Sequence, residues 1–411
     1  MVDFCQIKAQ NAVNPFGFTS ILTMRWRKSA LLKTGSDYAR HPKRRINMSD
    51  FKSLLKNEES AVFTLRSLYR SYGYLPYKMS KFEEYDLYVR NKDFLVSDSI
   101  ITFNDRDGKL LALKPDVTLS IVKNTSFEKN STQKLFYNEN VYRVSGSTHT
   151  YKEIMQTGLE CIGDVGVYDI AEVIFLALSS LQKMGGNFVL DVSSMGVVSA
   201  LLSEASQDSE FQRKITHLIG EKNPHEIKRV CEEYAVEKDV SEKLCSFVQI
   251  YGKGEEVFEK LRALSDTEEM EKAVSELEEI YEILSFTPLK DKINFDFSIV
   301  NDMSYYNSVV FKGYIDGIPE SVLSGGQYDK LMKKMGKKEA KAIGFAVYLD
   351  LLGELKGEKS SFDVDCLVLY SESTDKKQLA ERVSGLVAEG KSVSVQKAVP
   401  EKLRYKEKVS M

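Results

Sequence analysis

The stretch from Phe295 to Tyr348 places the strongest constraint on how this chain of 411 residues can fold. It contains three short apolar runs, Phe295–Val300, Ser308–Ile315 and Ser321–Leu323, with the length and alternation typical of strands. The third run ends at Gly325–Gly326, where a backbone without Cβ atoms can bend or approach a ligand. The pattern predicts an antiparallel sheet with a polar pocket at one edge. A plain sheet with surface tyrosines is the alternative.

Charge and cysteine content exclude several classes of function. The net charge of −3 does not favour a general nucleic-acid-binding protein. The five cysteines form no CxxC pair and the four histidines form no HExxH motif, so neither a zinc site nor a disulfide framework is indicated. No apolar run approaches the roughly 20 residues of a membrane span. We therefore expect a cytoplasmic protein without a metal or another cofactor.

Composition divides the chain into segments. Residues 1–47 are basic, with only Asp3 and Asp37 as acids, which fits a transit peptide or an extension upstream of a domain that begins at Met48. The extension is the simpler interpretation. We predict a main domain over residues 48–360, with a helical insertion at about 196–290 that is rich in Glu, Lys, Leu and Ala. Residues 361–411 are expected to form a short α/β unit.

Periodicity gives the elements of the main domain. Apolar residues at helical spacing follow Ser49 as far as Gly73, and residues 74–94 are expected to form a loop. The Asp-Gly turn at Asp105–Gly108 predicts a hairpin. A strand over Tyr151–Ile162 would place Gln156, Gly158 and Glu160 on one face. The other predicted elements are a helix to Lys123, strands Leu135–Arg143 and Asn187–Val192, helix Asp169–Lys183, and a terminal strand–helix–strand of Phe362–Tyr370, Asp375–Glu389 and Ser392–Lys397.

From about Asp50 to Leu352, the order of these segments resembles the catalytic domain of histidyl-tRNA synthetases. The resemblance implies an α+β fold of class II aminoacyl-tRNA synthetase type, an antiparallel sheet flanked by helices. Six segments carry it: LKPDVT at Leu113–Thr118 is similar to the family's LRPE-x-T, YNENVYR at Tyr137–Arg143 to the first motif 2 strand, MQTGLE at Met155–Glu160 to HQxGxE, VNDMSYY at Val300–Tyr306 to VRGLDYY, SGGQYD at Ser324–Asp329 to GGRYD, and GFAVYLDL at Gly344–Leu351 to motif 3.

Departures from the family pattern bear on catalysis. Asn301 stands where the synthetases have the arginine of RGLDYY, and Leu351, after Asp350, stands where motif 3 has the arginine that clamps ATP. Tyr348 replaces the glycine that leaves room for the nucleotide. Fixed cations at a reacting phosphate contribute orders of magnitude in rate. The C-terminal unit also looks truncated relative to a tRNA-binding domain. We therefore expect no adenylating activity and no tRNA partner.

The residues that read histidine in the synthetases have polar counterparts here. By resemblance, the acid and threonine of the LRPE-x-T segment and the motif 2 glutamine hold the ammonium, and the second motif 2 glutamate and the tyrosines read the imidazole. Arg143 and Tyr305 are expected to be vestigial. The corresponding histidine-binding positions are Asp116, Thr118, Gln156, Glu160, Tyr306 and Tyr328.

A histidine site without activation is typical of one branch of this fold, the regulatory subunits of ATP phosphoribosyltransferase. Members pair with a short-form catalytic subunit at the first step of histidine biosynthesis and confer feedback inhibition by histidine. The resemblance implies no catalytic residue, histidine as effector, and a dimer, formed around Tyr72–Pro76, within a hetero-oligomer. A divergent histidyl-tRNA synthetase and an RNA-binding or kinase-regulating paralogue are the alternatives.

Overall fold

The computed structural model describes residues 55–94, 100–126, 128–144, 150–300, 305–354 and 361–411. The predicted N-terminal extension, residues 1–47, lies outside these ranges. Residues 145–149, which connect the two motif 2 strands, also lie outside them, and so does Asn301.

A nine-stranded sheet forms the centre of the main domain, in the order β1-β5-β6-β12-β11-β10-β7-β9-β8. A second, three-stranded sheet has the order β2-β4-β3. The strands of the main domain are Leu75–Pro76 (β1), Phe82–Glu84 (β2), Thr102–Asn104 (β3), Leu110–Leu113 (β4), Thr132–Val144 (β5), Tyr151–Gly163 (β6), Phe188–Ser194 (β7), Tyr251–Gly252 (β8), Ile293–Asp296 (β9), Val309–Ile315 (β10), Leu323–Gln327 (β11) and Lys341–Tyr348 (β12).

The helices lie against this sheet and in one long connection. In chain order they are Asn57–Ser71 (α1), Tyr85–Arg90 (α2), Thr118–Asn124 (α3), Val167–Met184 (α4), Met195–Ala205 (α5), Ser209–Gly220 (α6), Pro224–Glu233 (α7), Lys238–Phe247 (α8), Gly254–Leu264 (α9), Glu268–Ser285 (α10) and Asp329–Lys334 (α11). Short 3₁₀ helices cover Lys92–Phe94, Lys290–Lys292 and Leu349–Glu354.

The large sheet is antiparallel at most of its pairings, as predicted, but not at all of them. β1 runs parallel to β5, with Leu75 opposite Leu135, and β7 runs parallel to β9, with Leu190 opposite Ile293. Parallel neighbours need a long connection. The connection from β7 to β9 contains α5 to α10, the helical insertion that the composition predicted.

One face of the sheet is covered by α4, whose apolar side packs with the sheet residues Phe311, Phe345 and Val347 in the main core. This helix is amphipathic because Ile170, Val173, Ile174, Ala177, Leu178 and Leu181 recur at helical spacing, and all six are buried. Since Cβ atoms alternate between the faces of a strand, residues such as Gly344 and Ala346 face the other side. That other face carries the cavity described below.

Three predicted features of the main domain are wrong in detail. The strand predicted at Phe295–Val300 is instead Ile293–Asp296, because Ser298 donates from its backbone N–H and its hydroxyl to Asp296 and the chain turns. Gly325–Gly326 lies inside β11 and not at its end, opposite Phe345 and Gly344. The predicted loop at 74–94 contains β1, β2 and α2.

The C-terminal unit has its own small core. Val364–Leu369 (β13), helix Lys376–Ala388 (α12) and Val393–Gln396 (β14) form the predicted strand–helix–strand, with the two strands parallel. A third strand, Tyr405–Ser410 (β15), was not predicted, and it pairs parallel with β13. Arg404, just before this strand, pairs with Asp363, and Lys406 within it pairs with Asp365.

Among the described residues there is neither a membrane-spanning helix nor a cluster of metal ligands. None of the helices is both long and apolar enough to cross a membrane. No group of three or more His, Cys, Asp or Glu side chains is placed to hold a metal ion.

Candidate functional site

Small residues on three adjacent strands, β6, β12 and β11, create a depression in the open face of the sheet. Gly344 on β12 lies opposite Glu160 on β6 and opposite Gly326 on β11. Ala346, two residues along β12, lies opposite Gly158 and Ser324. Directly opposed residues share one face of a sheet. Because this group contributes almost no side-chain volume, the larger side chains around it enclose a cavity of about 380 Å³.

All eight residues that the sequence singled out line this cavity. The lining residues lie on and around β6, β10, β11 and β12. These strands are central, so the cavity is not at an edge of the sheet, where the sequence predicted it. The lining residues from the prediction are Asp116, Thr118, Arg143, Gln156, Glu160, Tyr305, Tyr306 and Tyr328; others include Tyr137, Lys312, Ser321, Ser324, Gly344, Ala346 and Tyr348.

Glu160 is the most buried acid of the cavity, with 2% of its surface exposed. Its two oxygens each accept a hydrogen bond, Oε1 from the Thr118 hydroxyl at 2.9 Å and Oε2 from the Tyr328 hydroxyl at 2.5 Å. Burial raises the pKa of Glu160 to about 8, against the lowering effect of these two bonds. The carboxyl group is thus held in one orientation and can exchange a proton near neutral pH.

Asp116 lies just before α3. Its Oδ1 accepts a hydrogen bond from the backbone N–H of Leu119 at 2.8 Å. Burial raises its pKa, and the Leu119 N–H and the nearby Arg143 guanidinium oppose that shift. Arg143 itself donates from Nε to the carbonyl of Pro115 at 3.1 Å. At this end of the cavity, the second carboxyl oxygen of Asp116 is left for another partner. The negative charge of Asp116 partly offsets the positive charge of Arg143.

Three tyrosines form one wall. Tyr305 and Tyr306 meet edge to face with ring centroids 4.7 Å apart, and Tyr305 also lies 5.9 Å from Tyr328. Tyr328 does more than close the sheet, because its hydroxyl fixes Glu160. Tyr305 combines packing against Phe94 with lining of the cavity.

Two buried polar side chains of the cavity, Glu160 and Gln156, differ in whether they already have hydrogen-bond partners. Thr118 and Tyr328 already satisfy both oxygens of Glu160, so that carboxyl needs no ligand. Gln156 is different. It is only 3% exposed, it lines the cavity, and within the described part of the chain its side-chain amide has no hydrogen-bond partner. In the described residues, the fully enclosed side-chain atoms without a partner belong to other residues, such as Tyr74 and Tyr88. The amide of Gln156 instead lines the open cavity and is available to a ligand.

By the resemblance to the synthetases, Tyr348 marks the side of the cavity where those enzymes leave room for the nucleotide. The Tyr348 hydroxyl lies 2.9 Å from the Ser324 hydroxyl and forms a hydrogen bond with it. Asp350 accepts from the backbone N–H of Met155 at 3.2 Å, and Leu351 packs against the main core. Neither residue lines the cavity. In the described residues, the motif 3 segment therefore offers no cation to a phosphate.

Sequence analysis missed Lys312 and Tyr137. Lys312 is half-buried on β10 and points into the cavity. A charged residue at an inward position of the apolar run Ser308–Ile315 was the available sign. Tyr137, fully buried on β5, fills the space over Gly158, where an added Cβ would come within 2.5 Å of its hydroxyl oxygen. No sequence pattern distinguishes such a ring from ordinary core.

One known protein family matches most of the chain. The family model for histidyl-tRNA synthetase matches residues 52–352. The ATP phosphoribosyltransferase regulatory subunit of Caldanaerobacter subterraneus is 30% identical over 340 residues, 80% of this chain and 87% of that protein. The chain belongs to the histidyl-tRNA synthetase-like family of ATP phosphoribosyltransferase regulatory subunits. The regulatory subunit of Oceanobacillus iheyensis is 27% identical over 310 residues, 74% of this chain and 76% of that protein.

Solved structures of this family share the fold. A regulatory subunit/histidyl-tRNA synthetase from Bacillus halodurans superposes with a TM-score of 0.71 at 23% identity, covering 92% of this chain and 99% of that one. A chain of the ATP phosphoribosyl transferase (HisG:HisZ) complex from Thermotoga maritima gives a TM-score of 0.56 at 20% identity, covering 71% and 97%. These likenesses confirm the predicted class II synthetase-like α+β fold.

The raised pKa of Glu160 predicts a pH dependence of stability for this family member. With a pKa of about 8 when folded, against 4.5 as its ordinary value, the folded protein binds the proton more tightly than the unfolded chain. This contribution is fully present below about pH 4.5 and is lost as pH rises towards 8. Glu160→Gln keeps the neutral shape. We expect its free energy of unfolding, relative to wild type, to rise between pH 5 and pH 8.

Urea unfolding of both proteins at several pH values measures this difference. Glu153→Gln is the matched control, because Glu153 lies on the same strand but is exposed. A difference between Glu160→Gln and wild type that stays constant with pH would contradict the prediction.

Proposed function

We propose that this protein is a non-catalytic regulatory subunit of ATP phosphoribosyltransferase, and that histidine binds its sheet cavity and inhibits the assembled enzyme. The observation that carries the proposal is the contrast between the two sides of the cavity. The side matching the histidine pocket keeps Asp116, Glu160 and an unpartnered Gln156, whereas Tyr348 fills the nucleotide side. The names of the similar regulatory subunits support the same role, including a short-form catalytic subunit as partner.

The chemistry of the lining side chains fits the two polar ends of histidine. The free oxygen of Asp116 and the amide oxygen of Gln156 can accept from the ammonium group. A ring N–H of the imidazole can donate to Glu160, and Tyr306 flanks the ring. An apolar side chain such as that of leucine would leave Glu160 facing it without a new bond. Leucine and phenylalanine lack the imidazole N–H, so they forgo this hydrogen bond, which contributes about 0.5–3 kcal/mol, and are expected to bind more weakly.

Inhibition needs a further step. Histidine can change the activity of a partner only as far as it prefers one state of the complex over another. The tyrosine wall and Glu160 are the elements that contact the imidazole in this proposal. A change in their packing on binding is the means by which the ligand would favour the inhibited state.

The decisive experiment mixes the protein with the short-form catalytic subunit from the same source. We expect a stable complex by size-exclusion chromatography, higher phosphoribosyltransferase activity than the catalytic subunit alone, and inhibition by histidine. Glu160→Ala should still assemble, because its side chain lies inside the cavity. It should raise the inhibitory histidine concentration by about 5- to 150-fold, as expected for the loss of one hydrogen bond to a charged or buried partner.

Glu153→Ala, on the exposed end of the same strand, is the control and should keep normal inhibition. Two results would overturn the proposal: elution of the two proteins apart with unchanged kinetics, or equal inhibition of wild type and Glu160→Ala.

A further inference from the structure

The cavity is polarised, and Lys312 stands at the end opposite the acids. Following the sheet register, Lys312 on β10 lies opposite Ser324 on β11, which lies opposite Ala346 on β12, which lies opposite Gly158 on β6. Lys312 is thus on the face that carries Glu160. Three strand spacings of about 4.8 Å separate its backbone from β6. The two ends of the cavity are far enough apart to contact opposite ends of one small ligand.

No acid neutralises Lys312 within the described residues. It forms no ion pair there, and burial alone accounts for the lowering of its pKa. Most other half-buried lysines of the main domain have partners: Lys134 pairs with Glu172, and Lys243 with Glu204. A half-buried ammonium with no counter-charge is unfavourable unless something else supplies the charge. Its position in a cavity lining leaves room for that charge to come from a ligand.

Hydroxyl groups beside Lys312 supply further donors. Tyr348 and Ser324 share one hydrogen bond, which uses the proton of one hydroxyl only. The second proton is available to an acceptor in the cavity, and the Ser321 hydroxyl also lines this end. A cation with adjacent hydroxyl donors is a suitable site for a carboxylate. The opposite end, with Asp116 and Glu160, suits cationic and N–H groups.

We propose that Lys312 binds the carboxylate of the amino acid that occupies this cavity. The inference rests on the proposed function, because it assigns a group to the same ligand. It differs from the family pattern, in which the arginine of the RGLDYY segment serves the carboxylate; here that position is Asn301. In this proposal Lys312, on β10, supplies the cation instead. Arg143 is the rival cation, but Asp116 offsets its charge and Pro115 holds its Nε.

The test compares histidine with histidinol, which keeps the amine and imidazole and replaces the carboxylate with an alcohol. Calorimetric titration of each ligand into wild type and Lys312→Met gives four affinities for the protein alone and four for its complex with the catalytic subunit. We expect wild type to prefer histidine about tenfold or more, as for a charge-assisted hydrogen bond. In Lys312→Met the preference should fall close to one, with histidinol binding nearly unchanged. Lys312→Arg should restore most of the preference.

Each result decides between the possibilities. Lys341→Met, an exposed lysine on β12, should leave the preference intact and controls for loss of charge. Melting temperatures confirm that the variants fold. A preference that survives in Lys312→Met, or that disappears only in Arg143→Met, overturns the role of Lys312 while leaving histidine as the ligand. Failure of wild type to bind histidine in either form overturns both this inference and the proposed function.

Discussion

Gly344→Ala should weaken the affinity for histidine by a factor of about a hundred or more. Gly344 lies directly opposite Glu160 on the neighbouring strand. A Cβ atom at this position would come within 1.8 Å of Glu160 Oε2 and within 2.5 Å of the carbonyl oxygen of Leu159. The carboxyl group would have to leave its place, which breaks its bond with Tyr328. Because both the acid and the floor of the cavity change together, the loss should exceed that of a single hydrogen bond.

The measurement is calorimetric titration with histidine, with Gly385→Ala as the control, since an added Cβ at Gly385 meets no atom within 4 Å. Glu160→Ala provides a second check through stability. With the carboxylate removed, only the backbone contact with Leu159 remains, so Gly344→Ala should destabilise the Glu160→Ala protein less than it destabilises wild type. Histidine affinity of Gly344→Ala equal to that of wild type would contradict the geometry of the site.

Histidine-dependent exchange between ATP and pyrophosphate should be absent, several orders of magnitude below that of a histidyl-tRNA synthetase from the same host. Forming an adenylate develops charge on a phosphate, and fixed cations supply most of the stabilisation. In the described residues, Tyr348 fills the nucleotide side of the cavity through its bond with Ser324. Leu351 packs on the core where the family clamps ATP with arginine. Of the arginines that the family uses, Arg143 is the one that still lines the cavity in the described residues.

The assay needs a control for contamination, because traces of host synthetase give a signal. Wild type and Glu160→Ala, purified identically, should show the same background. Exchange that co-purifies with wild type and disappears in Glu160→Ala would establish activation at this site and favour a divergent synthetase over a regulatory subunit.

Local patterns predicted the long elements well, for physical reasons. The strand Tyr151–Gly163 and the helix Val167–Met184 have complete periodicities, and the cavity residues Gln156 and Glu160 fall on the strand where its alternation places them. Phe297 and Ile299 show the limit of the same method. Both are buried, as the alternation of Phe295–Val300 suggested, but in a turn and not in a strand. The periodicity of apolar residues thus indicates which residues are buried. The backbone conformation depends on hydrogen bonds that the periodicity does not show.

The predicted residues line one cavity, but their bonding was not predicted, and their role in binding histidine stays a prediction. The resemblance to the synthetases supplied the set of polar residues, and neighbouring elements bring them together. Sequence contains no distances, so the self-pairing of Glu160 with Thr118 and Tyr328 could not be foreseen, nor could the lack of a partner at Gln156. Lys312 was missed because a lysine in a strand is usually directed to solvent. Its register opposite Ser324 shows otherwise.

The parallel pairing of β7 with β9 has a consequence for chain entropy. Leu190 and Ile293 are neighbours in the sheet, although about a hundred residues separate them in the chain. The entropy of closing a loop grows only with the logarithm of its length, by about 0.6 kcal/mol per doubling. The six helices between these strands therefore add little to the free energy needed to join them, and they bury apolar faces of their own, including Phe211, Phe247 and Leu261. The long connection is instead expected to slow folding, because strands that are distant in the chain can pair only after the intervening residues become compact.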